Sequence, residues 1–160
     1  MEEVYLLLGS NLGDREKYLA DAAKIIGDKI APVIISSSLY QTESWGKVDQ
    51  PDFINQVLYL KTSLEPVELL KQILEIEIQL GRKRLEQWSS RTIDIDILLY
   101  GNQIMQKPDL IIPHPFMHMR RFTLMPLCEI NEEINHPLFN ETVQVLLSKL
   151  DDKLSVKKLT

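Results

Sequence analysis

The segment Thr92-Ile93-Asp94-Ile95-Asp96-Ile97-Leu98-Leu99-Tyr100 has the alternation of a β-strand with two different faces. Because successive side chains of a strand point to opposite sides of a sheet, Asp94 and Asp96 share one face. Thr92 and Leu98 belong to that same face. The opposite face, which we expect to lie against a layer of helices, is formed by Ile93, Ile95, Ile97 and Leu99.

The two aspartates predict a metal site. Their backbones stand roughly 6–7 Å apart, so their carboxylates can converge on one cation or bridge two. Mg²⁺ prefers few carboxylates and keeps water and substrate phosphates as its other ligands. Two Mg²⁺ ions bridged by carboxylates suit in-line phosphoryl displacement. A paired general acid and base, as in glycoside hydrolysis, is a competing role that leaves the neighbouring arginines without a task.

Arginines stand immediately before this strand, at Arg82, Arg84 and Arg91. Guanidinium groups bind phosphate bidentately and stay charged, so these residues are natural partners of a polyphosphate. Trp88 lies among them and can stack on a base or close over the site, although a surface loop without function is the alternative. Because the net charge is −5, general binding to nucleic acid or to a membrane surface is disfavoured. The local cationic cluster therefore indicates a small anionic ligand.

Periodicity on both sides of this strand predicts the element order β-α-β-β-α-β. Strands are expected at residues 4–8, 33–40, 53–61 and 92–100, with a helix capped by Asp14 that ends at Gly27 and a second helix over 63–80. This order matches an α+β, ferredoxin-like fold, an antiparallel sheet with helices on one face. A C-terminal extension completes three α/β/α layers: a turn at Gly101-Asn102, a hairpin over 104–112, a short helix within 117–129 and a helix over 142–150.

Glu77 is the one carboxylate on the apolar stripe of the helix at residues 63–80. Steps of about 100° per residue place it in the middle of the face that should be buried. A buried carboxylate needs a polar partner, because burying an unpaired charge is unfavourable. The alternative is that the helix frays to solvent near Gly81, and the pattern leaves both possibilities open.

Two further polar residues are candidates for ligand contact. Asn55 shares a strand face with Phe53, so its amide could contact the edge of a flat heterocycle. His114 lies between Pro113 and Pro115 and can contact phosphate or nucleotide. The three histidines of the chain do not have the spacing of a zinc site.

The whole chain predicts one cytoplasmic domain over residues 1–160, and we expect a monomer. Its length can bury a core without disulfides or a structural metal. The apolar runs are too short to span a bilayer, and the N-terminus lacks the pattern of a signal peptide. A lone cysteine, Cys128, cannot form an internal disulfide, which is typical of proteins in a reducing compartment.

Together these residues resemble the 6-hydroxymethyl-7,8-dihydropterin pyrophosphokinase family of folate biosynthesis. The resemblance extends from Tyr5 to about Ile130 and is specific, because six motifs occur in the family's order. They are Leu8-Gly9-Ser10-Asn11-Leu12-Gly13-Asp14, Tyr40-Gln41-Thr42-Glu43, Gln50-Pro51-Asp52-Phe53-Ile54-Asn55, Gly81-Arg82-Lys83-Arg84, Arg91-Thr92-Ile93-Asp94-Ile95-Asp96-Ile97, and Ile112-Pro113-His114-Pro115 followed by Arg120-Arg121-Phe122.

The resemblance implies transfer of pyrophosphate from ATP to the pterin hydroxymethyl group, which leaves AMP. Asp94 and Asp96 would hold two Mg²⁺ ions delivered with ATP. The residues implied to bind the pterin are Thr42, Glu43, Trp45, Phe53, Asn55 and Phe122, with the ring between the two phenylalanines. The residues implied to grip the transferring phosphates are Arg82, Arg91 and Arg120. Those implied to line the ATP site are Glu77, Arg84, Trp88, Ile97 and His114, and the loops 43–50 and 82–90 would close as lids.

Two alternatives from other classes remain. A nucleotidyltransferase could use paired aspartates and two metals on a similar sheet, and it would bind nucleic acid, which the acidic net charge disfavours. A non-catalytic ligand-binding module of the same fold would show no Mg²⁺ requirement. Formation of AMP from ATP in the presence of Mg²⁺ and the pterin distinguishes these three possibilities.

Overall fold

The computed structural model describes residues 1–42, 51–81, 92–151 and 155–159. Within these residues the chain forms a mixed α/β fold. Its elements are β1 (Glu2–Ser10), α1 (Arg15–Lys29), β2 (Val33–Ser36), β3 (Leu39–Thr42), β4 (Phe53–Thr62), α2 (Pro66–Gln79), β5 (Asp94–Tyr100), β6 (Met105–Lys107), β7 (Leu110–Ile112), a 3₁₀ turn (Met117–Met119), α3 (Arg121–Asn131), β8 (Asn135–His136), β9 (Glu141–Thr142), α4 (Val143–Ser148) and β10 (Val156–Leu159).

The main sheet is antiparallel, with the strand order β10-β3-β4-β1-β5, and β2 also pairs with β4. At its centre, β1 and β4 pair continuously from Glu2 opposite Thr62 to Ser10 opposite Ile54. After the turn at Gly101-Asn102, residues 104–112 were predicted to return as a hairpin. In the described sheets they form two short strands, β6 and β7, which pair with each other and not with β5, and β8 and β9 form another two-stranded sheet. Among the described helices, none is both long and apolar enough to cross a membrane.

The sheet has an apolar core on each side. On one side, alternate residues of β1, such as Leu6 and Leu8, pack with the apolar stripes of α1 and α2. On the other side, Tyr5 and Leu7 of the same strand pack with residues of α3 and α4, including Leu127. Helices therefore lie on both sides of the sheet, as the period of two along the strands and the amphipathic helices require.

The alternation predicted for β5 holds from Asp94 to Ile97 and then breaks. Leu6 lies opposite Ile97 whereas Tyr5 lies opposite Leu99, so one extra residue forms a β-bulge. Leu99 consequently packs with the α3 side of the sheet, and its predicted place against α1 and α2 is wrong. An inserted residue moves every later side chain of the strand to the opposite face of the sheet. Because the residues around the bulge are all apolar, the sequence pattern does not show this change of face.

Two other boundaries differ from the prediction. Helix α1 continues beyond Gly27 to Lys29, and the Ile30 N–H closes it by donating to the Ile26 carbonyl at 2.9 Å. The strand predicted at 33–40 is two strands, β2 and β3. Ser37 lies between them. Its side-chain hydroxyl accepts from the Val57 N–H at 2.9 Å, in the place of a backbone carbonyl of a continuous strand.

Glu129 of α3 ties that helix to the junction between β2 and β3. Its carboxylate accepts hydrogen bonds from the Ser38 N–H at 3.0 Å, the Ser38 hydroxyl at 2.9 Å and the Tyr40 hydroxyl at 2.6 Å. Burial acts to raise the pKa of Glu129, but these hydrogen bonds outweigh it and hold the pKa below its usual value. The contact orients β3, which ends at Thr42.

His136 makes folding stability depend on pH. Its ring is 1% exposed, and its Nδ1 accepts from the Leu138 and Phe139 N–H groups at 3.3 Å each. Burial and the neighbouring His118 lower its pKa from 6.5 to about 4. The unfolded chain therefore binds more protons between these pH values, so stability present above pH 6.5 is lost as the pH falls towards 4.

We expect the His136 contribution to the free energy of unfolding to fall by about 2–3 kcal/mol between pH 7 and pH 4.5. In His136→Asn the amide oxygen can replace Nδ1 as an acceptor while titration is removed. Urea unfolding across this range should give a shallower pH profile for the variant. Parallel profiles for the variant and the parent would contradict the assignment.

Candidate functional site

A row of residues crosses the sheet on the side of α3. Asp94 on β5 lies opposite Gly9 on β1, Gly9 lies opposite Asn55 on β4, and Asn55 lies opposite Tyr40 on β3. Directly opposed residues of antiparallel strands point to the same face and are close neighbours. The register therefore brings a carboxylate and an amide together on one face, separated only by a residue without a side chain.

Asp94 and Asp96 lie on this face, as predicted, while Ile93, Ile95 and Ile97 pack into the core beneath α1 and α2. The Asp96 side chain is 32% exposed, and its Oδ2 lies 3.8 Å from the His114 Nε2. In the described part of the chain, no group of three or more His, Cys, Asp and Glu residues could hold a metal. The donor set is thus two carboxylates, which fits Mg²⁺ coordinated also by water and phosphate and not a closed zinc site.

His114 is held beside Asp96 by main-chain contacts. The backbone N–H of His114 donates to the Leu98 carbonyl at 3.0 Å, and the ring Nδ1 accepts from the backbone N–H of Phe116 at 3.1 Å. Because Nδ1 is an acceptor, the proton of the neutral ring is on Nε2, the atom that faces Asp96. Burial, followed by the charge of Arg120, lowers the pKa of His114 to about 4, against the opposing effect of Asp94. His114 is therefore a neutral hydrogen-bond donor at physiological pH.

Arg120 lies close enough to this histidine for its charge to act on the His114 ring, and it contacts two aromatic rings. The Arg120 guanidinium carbon lies 5.2 Å from the centroid of the Phe116 ring and 5.4 Å from that of Phe122, within the range of cation–π contacts. These contacts restrict the long arginine side chain before any ligand arrives. A preoriented cation close to His114 and the aspartates can bind an anionic ligand.

The other end of the row carries buried polar atoms that lack partners. Asn55 is 5% exposed and Thr42 is 2% exposed. Among the described residues, the Asn55 Oδ1 and Thr42 Oγ1 atoms have no hydrogen-bond partner. Buried polar atoms are almost always satisfied, so this concentration indicates a polar ligand. Phe53, directly opposite Thr42, adds an aromatic ring on the same face.

Glu77 is buried, and the fraying of its helix is excluded. Its side chain is 2% exposed, and its Oε2 accepts from the Ile95 N–H at 2.7 Å. β5 is the last strand of the described sheet on this side, so the carboxylate caps a main-chain donor at the sheet edge. That donor lies between the two aspartates, which makes Glu77 a support of the carboxylate-bearing strand.

Ile97, which is implied to line the ATP site, turns its side chain away from the two aspartates. Its side chain is 5% exposed and packs in the core with α1 and α2. It therefore points away from the face that carries Asp94 and Asp96, and only its main chain, at the sheet edge, remains available to a ligand. The period of two places Ile97 opposite the aspartates, which already indicated this orientation.

Six of the implied site residues lie outside the described residues, together with both implied lids at 43–50 and 82–90. They are Glu43, Trp45, Arg82, Arg84, Trp88 and Arg91. Gly9, in contrast, was not among the predicted site residues. Its signals in the sequence were its place in the first of the six motifs and its position at the end of an apolar strand, where a turn begins.

Fold and site together define a mixed α/β protein with a ligand site of paired carboxylates and buried amide and hydroxyl groups on one face of an antiparallel sheet. Residues 5–132 match the family model described as 7,8-dihydro-6-hydroxymethylpterin-pyrophosphokinase (HPPK). The chain belongs to this family.

Curated relatives and solved structures agree with the family match. The chain is 40% identical over 144 residues to the 2-amino-4-hydroxy-6-hydroxymethyldihydropteridine pyrophosphokinase of Aquifex aeolicus, covering 90% of this chain and 89% of that protein. It is 44% identical over 131 residues to the protein of the same name from Bacillus subtilis, covering 81% and 78%.

The fold is also similar to that of Plasmodium falciparum HPPK-DHPS, solved as the wild type with pterin and p-hydroxybenzoate. The TM-score is 0.74 at 18% identity over 92% of this chain. This chain spans 41% of that longer protein. At this identity the likeness concerns the fold alone.

Proposed function

We propose that this protein transfers the pyrophosphoryl group of ATP to the hydroxymethyl group of 6-hydroxymethyl-7,8-dihydropterin in folate biosynthesis. The hydroxymethyl oxygen forms a bond to the β-phosphorus, the bond from that phosphorus to the α,β-bridging oxygen breaks, and AMP leaves. The observation that carries the proposal is the row in which Asp94, Gly9 and Asn55 stand side by side. It supplies a carboxylate for the phosphates next to an amide for the pterin.

The acceptor end uses the buried atoms that lack partners. The Asn55 Oδ1 accepts from an N–H group at the pterin edge, and the Thr42 Oγ1 adds a second contact. Phe53 and Phe122 hold the flat ring between them, since aromatic faces stack favourably. Glu43 and Trp45 complete this end of the site.

The donor end uses Asp94 and Asp96 as ligands of two Mg²⁺ ions that arrive with ATP. When bound, these ions neutralise the phosphate oxygens and align the transferring group. Arg82, Arg91 and Arg120 bind the same oxygens through charge-assisted hydrogen bonds. The ATP contacts are completed by the Nε2–H of His114, by Arg84 and Trp88, by the main chain of Ile97, and by Glu77 as a support of β5.

Several finer features belong to the same proposal. The strand order β5-β1-β4-β3, with α1 and α2 on one side, corresponds to the ferredoxin-like arrangement. Closure of loops 43–50 and 82–90 keeps water from the transferring group, because attack by water would be hydrolysis. The protein works as a single-domain monomer in the cytoplasm, in keeping with its lone cysteine, Cys128.

Incubation with ATP, Mg²⁺ and the hydroxymethyl-dihydropterin is expected to release one AMP for each pterin diphosphate formed, measured by chromatography. Omission of the pterin or addition of EDTA should stop AMP release. A nucleotidyltransferase would instead release inorganic pyrophosphate and require a nucleic-acid acceptor. A binding module would form no AMP under any of these conditions, and either result would overturn the proposal.

A further inference from the structure

Gly9 occupies the middle of the row that joins the two ends of the site. It lies opposite Asn55 on one side and opposite Asp94 on the other. Because neighbouring strands are about 4.7–4.9 Å apart, a side chain at this position would stand between the amide and the carboxylate.

Backbone conformation does not require glycine here. Among the described glycines, those with a positive φ are Gly13, Gly81 and Gly101, and Gly9 is not one of them. Gly9 lies within β1 with a regular partner on each side, a conformation that any residue adopts. A glycine inside a strand also weakens it, which indicates that the position serves a close approach.

Space at this position, by contrast, favours glycine. A Cβ placed on Gly9 would lie 2.6 Å from the Asn55 Nδ2 and 3.7 Å from both the Asn55 Cγ and the Phe53 Cδ1. The first distance is far below van der Waals contact, so the amide would have to move. The second and third are ordinary contacts, so the collision is specific to the amide nitrogen of Asn55.

That nitrogen is the atom that orients the amide. The Asn55 Nδ2 donates to the Leu8 carbonyl at 3.3 Å, and a carbonyl can only accept, so the nitrogen must face β1. The Oδ1 is left without a partner among the described residues. The bare backbone at Gly9 thus allows Asn55 to present an acceptor, and not a donor, to the ligand.

We infer that Gly9 is a positioning residue that decides the hydrogen-bond polarity of the acceptor pocket: by leaving room for the Asn55 Nδ2, it makes the pocket select a heterocycle with an N–H donor at its edge. This inference rests on the proposed function. A side chain at position 9 forces the amide off the Leu8 carbonyl, and the buried oxygen no longer faces the N–H group of the ligand.

The test is a double-mutant cycle on the full-length protein, with Gly9→Ala and Asn55→Ala measured singly and together. Binding of 6-hydroxymethylpterin and of Mg²⁺ with α,β-methylene-ATP is followed separately by calorimetry. Gly9→Ala is expected to weaken pterin binding at least about 10-fold, the effect of one misplaced buried hydrogen bond. Gly9→Ala should change the dissociation constant of Mg²⁺ with α,β-methylene-ATP by less than about 2-fold.

In the Asn55→Ala background the amide is absent, so adding Gly9→Ala should weaken pterin binding by less than about 2-fold. Gly27→Ala is the matched control, because an added Cβ there meets nothing within 4 Å, and it should bind both ligands as the parent does. If Gly9→Ala does not fold, the double variant should fold, since the colliding group has been removed.

The inference is overturned if Gly9→Ala binds the pterin as tightly as the parent, or if it weakens binding equally in both backgrounds. It is also overturned if pterin and nucleotide binding fall together, or if the double variant fails to fold. Failure of the proposed function is distinguishable, because the parent protein would then not bind 6-hydroxymethylpterin at all.

Discussion

Asp96→Asn is expected to lower kcat for AMP formation by roughly 10²–10⁴-fold, because the proposed carboxylate ligand of the Mg²⁺ ions that would neutralise the transferring phosphates is lost. The substitution retains the size of the side chain and changes its charge. Asp96 shares its sheet face with Asp94 and is 32% exposed, so the neutral amide fits without repacking. The apparent affinity for Mg²⁺ should fall together with kcat.

A matched control separates the loss of this carboxylate from the general effect of removing a surface charge. Asp28→Asn is the matched control, since Asp28 is 67% exposed on α1 and forms an ion pair with Lys24, four residues earlier on the same helix. Steady-state rates over a Mg²⁺ titration measure the effect. AMP formation by Asp96→Asn at the parental rate would show that Asp96 is not a metal ligand.

Glu77→Ala is expected to lower the free energy of unfolding by about 2–4 kcal/mol. The change removes the acceptor of the Ile95 N–H and leaves that buried donor unsatisfied, at about 1–3 kcal/mol. The change also leaves a cavity where the Glu77 side chain, which is 2% exposed, was packed, and this adds to the loss of stability. Glu77→Gln retains an acceptor oxygen and most of the volume, so its loss should be smaller.

Glu75→Ala is the matched control, because Glu75 is exposed two residues earlier on the same helix. Urea unfolding of the three variants and the parent at pH 7 measures the differences. Since the Ile95 N–H lies between Asp94 and Asp96, half-maximal activity of Glu77→Ala should also require more Mg²⁺. Equal stability of Glu77→Ala and Glu75→Ala would show that the contact between α2 and the edge of β5 contributes nothing.

Features that depend on local periodicity could be predicted from the sequence. The buried strand β1, the helix α2 and the shared face of Asp94 and Asp96 follow from periods of 2 and 3.6 residues. The position of Glu77 on the buried stripe follows in the same way. Each of these is determined by residues that are neighbours along the chain, which is why they could be recognised without the tertiary structure.

Features that depend on pairing could not be predicted. The bulge in β5 is defined by its register against β1, and the break between β2 and β3 by the contact of Ser37 with Val57. Helix α1 passes Gly27 because the intrinsic weakness of glycine, about 1 kcal/mol, is small beside the packing of the helix on the sheet. In each case a distant segment overrides the local preference.

The sequence by itself determined that Asp94 and Asp96 share one strand face, because that depends only on alternation, and its motifs placed the chain in its family. Only the tertiary structure decided that Asn55 stands beside Asp94 with Gly9 between them, and that Glu77 caps the Ile95 N–H. Both arrangements join segments that are far apart in the chain, and strand register and helix docking determine them. The residue pattern of a single segment therefore predicts neither of these two arrangements.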